Sequence, residues 1–138
     1  MSRSGYSDDY DCDIDQWAMI RWRGAVKSAL RGRRGQAFLL EAVAALDALP
    51  APELARNNLV ANGAFCTLGS VGLARSLDVS KVDPEDHELV AKTFAIPHSL
   101  ACEIMYENDE GTWGLETPGS RWLRMRAWLS SLIKDDTK

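Results

Sequence analysis

Cysteine is scarce: Cys12, Cys66 and Cys102 are the three in 138 residues, an odd and widely spaced set. Such a set does not make the disulfide framework of a small secreted domain. Cys66 and Cys102 lie in apolar sequence and read as small core residues. Cys66 also has no basic neighbour in sequence to lower its pKa. Histidine is scarcer still. His87 and His98 each stand alone beside a helix boundary, and no second His or Cys is read at metal-ligand spacing from them. No stretch approaches the ~18 apolar residues that span a bilayer. Residues 1–15 are polar and acidic with no apolar signal core, so the expectation is a cytoplasmic chain without a membrane partner. No glycine-rich phosphate loop is present either. Gly69-x-x-Gly72 lacks the Lys-Ser/Thr of a P-loop and the third glycine of a dinucleotide fold. These absences leave no catalytic residue, no metal ligand and no cofactor to name. A site gathered from residues far apart in sequence would leave no such mark, so an enzyme stays open as a third reading.

What is present is an ordinary globular balance, 46% hydrophobic and 26% charged, in a length that suits one domain. A chain of this size buries enough surface to fold without a covalent staple. Charge is spread unevenly around the net of −4. Residues 1–15 hold Asp8, Asp9, Asp11, Asp13 and Asp15 against Arg3 alone. Residues 21–34 hold Arg21, Arg23, Lys27, Arg31, Arg33 and Arg34 and no acid. Such asymmetry bears on partners and solubility rather than on fold.

The periodicity predicts a mainly α protein: a flexible acidic arm over 1–13, one compact helical domain over 14–134, and a tail over 135–138. Five to six helices and one short β-hairpin are expected. Asp13 or Asp15 caps a first helix running from about Gln16 to Leu30, since a short side-chain oxygen accepts from the unpaired first-turn amides. Met19, Trp22, Val26, Ala29 and Leu30 share one face of it. Gly32 and Gly35 break the chain around a basic turn. A second helix follows from about Gln36 to Leu49, with Leu39, Ala42, Val43, Leu46 and Leu49 as its buried stripe, and Pro50 and Pro52 beyond it. A short helical turn is expected over Pro52–Asn57. Asn62-Gly63 between Leu59–Ala61 and Ala64–Cys66 signals a hairpin, because both central residues of a type I′ turn need positive φ. Leu68–Leu77 reads as a helix whose Gly69 and Gly72 let another helix come close. Asp83-Pro84 reads as a helix start running to Phe94, Ile96-Pro97 as a break, and His98–Asn108 as the next helix. Asp109 to Gly111 and Gly114 mark a loop. Thr117-Pro118 opens the last helix, where Trp122, Met125, Leu129 and Leu132 share a face.

Four constellations bear on function. The helix-break-helix over Asp86–Asn108 has the outline of a helix-turn-helix, but its second helix carries Glu103 and Glu107 and no Arg or Lys. A DNA-reading helix needs donors for phosphates and base edges, so that chemistry is wrong. Arg23, Lys27 and Arg31 recur every four residues on one helix face, with Arg34 one turn on. This stripe suits phosphates or an acidic partner, and Trp17 and Trp22 among the charges suit base stacking; it also suits a plain solvated face. Glu107, Asp109, Glu110 and Glu116 offer oxygens to a hard cation, although a turn of acids is more often a solvated loop. Trp128 falls off the main apolar face of the last helix, beside Arg121, Arg124 and Arg126. It suits either a partner anchor or a wide buried stripe.

Several segments span nearly the whole chain and carry a resemblance. They are Met1–Asp9, Ile20–Val26, Arg34–Leu39, Ala45–Pro50, Cys66–Arg75, Glu107–Gly111 and Arg124–Trp128. In these the chain resembles a recurring family of small bacteriophage and prophage proteins of no established activity. The resemblance implies a phage accessory protein made in the host bacterial cytoplasm, and it supplies no catalytic residues to carry over. The expectation is an interaction protein that binds a host or phage macromolecule through Arg23, Lys27, Arg31, Arg34 and Trp128. Inhibition of a host defence nuclease complex is one concrete form. A protein partner leads, and a nucleic-acid-binding accessory factor using the basic stripe is the alternative. Oligomeric state is not legible.

Overall fold

The computed structural model describes residues 16–110 and 116–134, with side chains from Ile20 onward. The acidic arm with its Asp13 or Asp15 cap, Cys12, the glycines Gly111 and Gly114, the side chains of Trp17 and Met19 and the tail lie outside the described residues. Six helices and one hairpin follow in order: α1 (Gln16–Arg31), α2 (Arg33–Asp47), β1 (Val60–Ala61), β2 (Ala64–Phe65), α3 (Thr67–Ala74), α4 (His87–Phe94), α5 (His98–Glu110) and α6 (Pro118–Leu132). The fold is mainly α, as the periodicity predicts. Among the described residues no helix is long and apolar enough to cross a membrane.

The helices form because their apolar residues recur at the helical period and meet in one core. Leu39, Ala42 and Leu46 of α2 are buried, with Val43 and Leu49 packed partly against them. Leu68 and Val71 of α3, Val90 and Phe94 of α4, Leu100 and Ile104 of α5, and Met125 and Leu129 of α6 complete the cluster. Each fully buried Leu, Ile, Val, Phe or Met among them stabilises the fold by about 1.5–3 kcal/mol relative to exposure. On α1, Trp22 and Val26 are buried and Ala29 and Leu30 pack partly, which leaves the opposite face outward. Trp122 adds a polar tie, its indole N–H donating to the Leu46 carbonyl at 3.0 Å.

The hairpin pairs Val60 with Phe65 and Ala61 with Ala64, and Asn62 and Gly63 both take positive φ. That is the type I′ geometry Asn-Gly specifies. Thr117 caps α6 by accepting from the Ser120 amide, and Pro118 takes the first position.

Several local expectations are corrected. Gly35 does not break the chain: α2 begins at Arg33, and Gly35 sits inside it where a Cβ would fall 1.8 Å from the Ala29 carbonyl oxygen. Residues 52–57 do not form a helical turn. Two central amides go to distant partners, Leu54 N–H to the Pro118 carbonyl and Ala55 N–H to the Phe65 carbonyl, so no local ladder closes. Gly69 does admit a close neighbour, but that neighbour is no helix. A Cβ there would lie 1.8 Å from the Leu59 carbonyl oxygen, at the foot of the hairpin. The cap of α4 is Asp86 rather than Asp83. Asp83 instead closes its own turn, accepting from the Glu85 amide at 2.9 Å, and Asp86 accepts from the Leu89 amide. The shift puts His87 at the first position of α4. Asp109 and Glu110 belong to the last turn of α5 rather than to a loop.

Candidate functional site

The outward face of α1 is basic. Ile20, Lys27 and Arg31 lie almost in line, because seven and eleven residues are close to two and three turns, and Arg23 flanks them. All four are exposed, Ile20 by 56%. Gly24, on the same face, has open space where a Cβ would be. Arg33 and Arg34 continue the exposed cations into the first turn of α2. Lys134 joins them from beyond α6, its ammonium donating to the Arg31 carbonyl at 3.0 Å. Among the described residues, Arg23, Lys27, Arg31, Arg33 and Arg34 make no ion pair.

The arginines elsewhere behave differently. Arg75, from the end of α3, meets Glu41 of α2 at two points, 2.7 and 2.6 Å, donates to the Phe94 carbonyl and lies 5.8 Å from the Phe38 ring centre. Hydrogen bonding from Arg75 holds the Glu41 carboxyl below its ordinary value. Arg126 forms a similar pair with Asp47, at 2.6 and 2.9 Å. Arg124 engages Glu116 at 2.7 Å and donates to the Glu107 and Asn108 carbonyls. Arg121, almost fully buried, sits 3.3 Å from Glu116 and donates to the Leu54 carbonyl. These four tie elements together. The acids that sequence offers as cation ligands are therefore largely engaged: Glu116 with Arg121 and Arg124, Glu107 with Arg124, and Asp109 accepting from the Asn57 and Asn108 amides.

A groove runs beside the basic face, between α2 and the α4–α5 turn. Arg34, Glu41, Arg75, Phe94, Ile96 and Pro97 are among its walls. Arg34 thus stands at the junction of groove and stripe.

The histidines are not isolated, which corrects the reading of them in sequence. His98 and Cys102 face each other one turn apart on α5, with Nε2 and Sγ at 3.7 Å. His87, at the start of α4, brings its ring centre to 6.0 Å from that of His98. Burial and the neighbouring His98 hold the His87 imidazole below its ordinary pKa. Burial and then Glu103 push the Cys102 thiol up to about 11. Burial pushes Cys66 up to about 12. The role of Cys66 is structural, since it is buried at the N-cap of α3, where its Sγ accepts from the Gly69 amide at 3.3 Å. Neither thiol has the electropositive, partly exposed setting of a catalytic nucleophile.

Two tryptophans remain. Trp22 is 2% exposed, so it cannot stack on a base. Trp128 is half-buried against the core of α6 rather than projecting freely. Arg23, Lys27 and Arg31 thus share one exposed face of α1, Arg34 is exposed in the first turn of α2, and Trp128 packs partly against the core. The cluster of His87, His98 and Cys102 escapes a reading by sequence, although His98-x-x-x-Cys102 is the spacing that one helix face requires. No family model, no curated protein and no solved structure matches the chain.

Proposed function

We propose that the chain is a docking protein whose α1 face engages an acidic surface of a protein partner. The supporting observation is a set of exposed cations without ion pairs among the described residues, in line with an exposed isoleucine at the N-terminal end of the same face, on a chain of net charge −4. Arginine is among the anchors that protein interfaces favour. Complementary charge speeds encounter and selects the partner. A nucleic-acid partner fits less well. The only tryptophan side chain described on α1 is buried, so it offers no aromatic platform beside the stripe. Helix α5, the second helix of the helix-turn-helix outline, carries acids and no Arg or Lys. In this proposal the chain is a phage accessory protein and its partner a host or phage protein, of which a host defence complex is one form.

A photo-reactive residue at position 20 tests this reading in lysate of an infected bacterial host, with and without nuclease. Ile20 stands in the basic face, whereas Leu123, 65% exposed on α6, serves as the control position. The expected result is a nuclease-resistant cross-link to one acidic protein from position 20 and none from position 123. Cross-links lost on nuclease treatment, or equal at both positions, would overturn it.

A further inference from the structure

The His87, His98 and Cys102 cluster has the composition and the spacing of a metal site. One ligand atom from each residue lies within 4.8 Å of the others. For a tetrahedral ion with bonds of about 2.0–2.1 Å to nitrogen and 2.3 Å to sulfur, a nitrogen–sulfur pair spans about 3.6 Å. His98 Nε2 and Cys102 Sγ are already 3.7 Å apart. That distance suits a weak hydrogen bond to sulfur and is also near the bite a tetrahedral ion needs. His87 supplies the third direction from another helix, its ring tilted 45° to that of His98. The His87 Nε2 is screened from solvent and has no hydrogen-bond partner. An orphaned, screened nitrogen costs stability unless something occupies it.

We propose that His87, His98 and Cys102 bind one Zn²⁺ ion, pinning the start of α4 to the start of α5. Two imidazoles and a thiolate suit a borderline-soft ion and exclude Mg²⁺ and Ca²⁺, which require oxygen. The site stands on two helix starts set by local sequence. Asp86 caps α4 and so fixes His87 at its first position. The left-handed residue Ala95 ends α4, and Pro97 precedes α5, so the chain doubles back and brings His98 beside His87. Cys102 follows one turn along the same face of α5, wholly buried. Three protein ligands leave a fourth position. His98 also lines an open groove with Asp86, Lys92 and Ile96, and the fourth ligand is a water reached from that side.

The test uses the full chain carrying Cys12→Ser, which removes the thiol of the acidic N-terminal stretch. After chelator treatment it is titrated with Zn²⁺ by calorimetry and with Co²⁺ by visible absorption. One Zn²⁺ per chain, a raised melting temperature, and a tetrahedral cobalt spectrum with a thiolate charge-transfer band are expected, since an ion that binds only the folded state stabilises it. Cys102→Ala and His98→Ala should each weaken binding at least about 100-fold, more than loss of a supporting residue does. His87→Gln, a change at a half-exposed helix start, should weaken it too while leaving the metal-free melting temperature close to the parent's. That variant keeps the test decisive if a buried change prevents folding. Absence of 1:1 binding, binding that survives Cys102→Ala in a folded chain, or an octahedral cobalt spectrum without a thiolate band overturns the proposal.

Discussion

Asn108 and Thr67 are locked together across 41 residues of sequence: the Asn108 side-chain oxygen accepts from both the Thr67 amide, at 3.0 Å, and the Thr67 hydroxyl, at 2.8 Å. The Asn108 amide group donates to the Ala55 carbonyl at 2.9 Å. One side chain from α5 therefore satisfies the first turn of α3 and the segment leading into the hairpin. The contacts between the two lie out of water, with Asn108 and Thr67 each 1% exposed.

Asn108→Ala should destabilise the fold by about 2–4 kcal/mol, because it strands the buried Thr67 amide and hydroxyl at about 1–3 kcal/mol each. Asn108→Asp keeps the acceptor, loses the donor to Ala55 and adds charge beside Asp109, so it should recover little. Urea melts of the two variants check this. A loss below about 1 kcal/mol in Asn108→Ala, the scale of sites without such partners, would contradict it.

Two glycines should respond to alanine in opposite directions. At Gly69 a Cβ would lie 1.8 Å from the Leu59 backbone oxygen, so the hairpin or α3 must move. Gly69→Ala should cost about 1–3 kcal/mol or more, as overpacking does. At Gly24 nothing lies within 4 Å of the added carbon. Gly24→Ala should stabilise α1 by about 1 kcal/mol, the usual helix-interior difference. Thermal denaturation of both variants reads the two signs.

Much of the fold is legible in sequence because burial recurs at a period. The stripe from Leu39 to Leu49 and the Met125 and Leu129 face declare their helices, and Asn62-Gly63 declares its turn by needing positive φ. What is illegible depends on pairing at a distance. Nothing local says that Arg75 will find Glu41, or that Arg126 will find Asp47 79 residues away, while Lys27 and Arg31 find no acid among the described residues. The irregular path of 52–57 has the same cause, since the Leu54 and Ala55 amides are taken by Pro118 and Phe65. The histidine–cysteine cluster is half visible. His98 and Cys102 share a face by spacing, but His87 joins them only after the turn at Ala95 folds α4 back on α5.

Stability should fall in acid through the carboxylates that arginines hold. Hydrogen bonding from Arg124 is the first cause that lowers the Glu116 carboxyl below its ordinary 4.5, with Arg121 adding to it. Glu107 of α5 is the acid that shares Arg124 with it. A carboxylate whose folded pKa is depressed contributes fully above its unfolded value and loses that contribution as pH falls through the folded one. Glu41, lowered by Arg75, adds in the same direction. The unfolding midpoint should therefore drop progressively below about pH 4.5. Glu116→Gln should lower stability at neutral pH by about 2–4 kcal/mol, since it leaves buried Arg121 without its carboxylate. It should also flatten the acid limb. An unchanged pH profile in that variant would show that the network contributes nothing.

If the cations of α1 serve a partner and not the fold, reversing their charge should abolish binding and spare stability. Lys27→Glu/Arg31→Glu is compared with the parent chain for melting temperature and for capture of the cross-linked partner across a range of salt. Both side chains are exposed and make no ion pair among the described residues, so the melting temperature should stay within the change about 0.5 kcal/mol produces. Capture by the parent should weaken as salt rises, because exposed charge pairs are screened over about a Debye length. Capture by the variant should be lost at every salt concentration. Undiminished capture by a folded variant would contradict a docking role for this face.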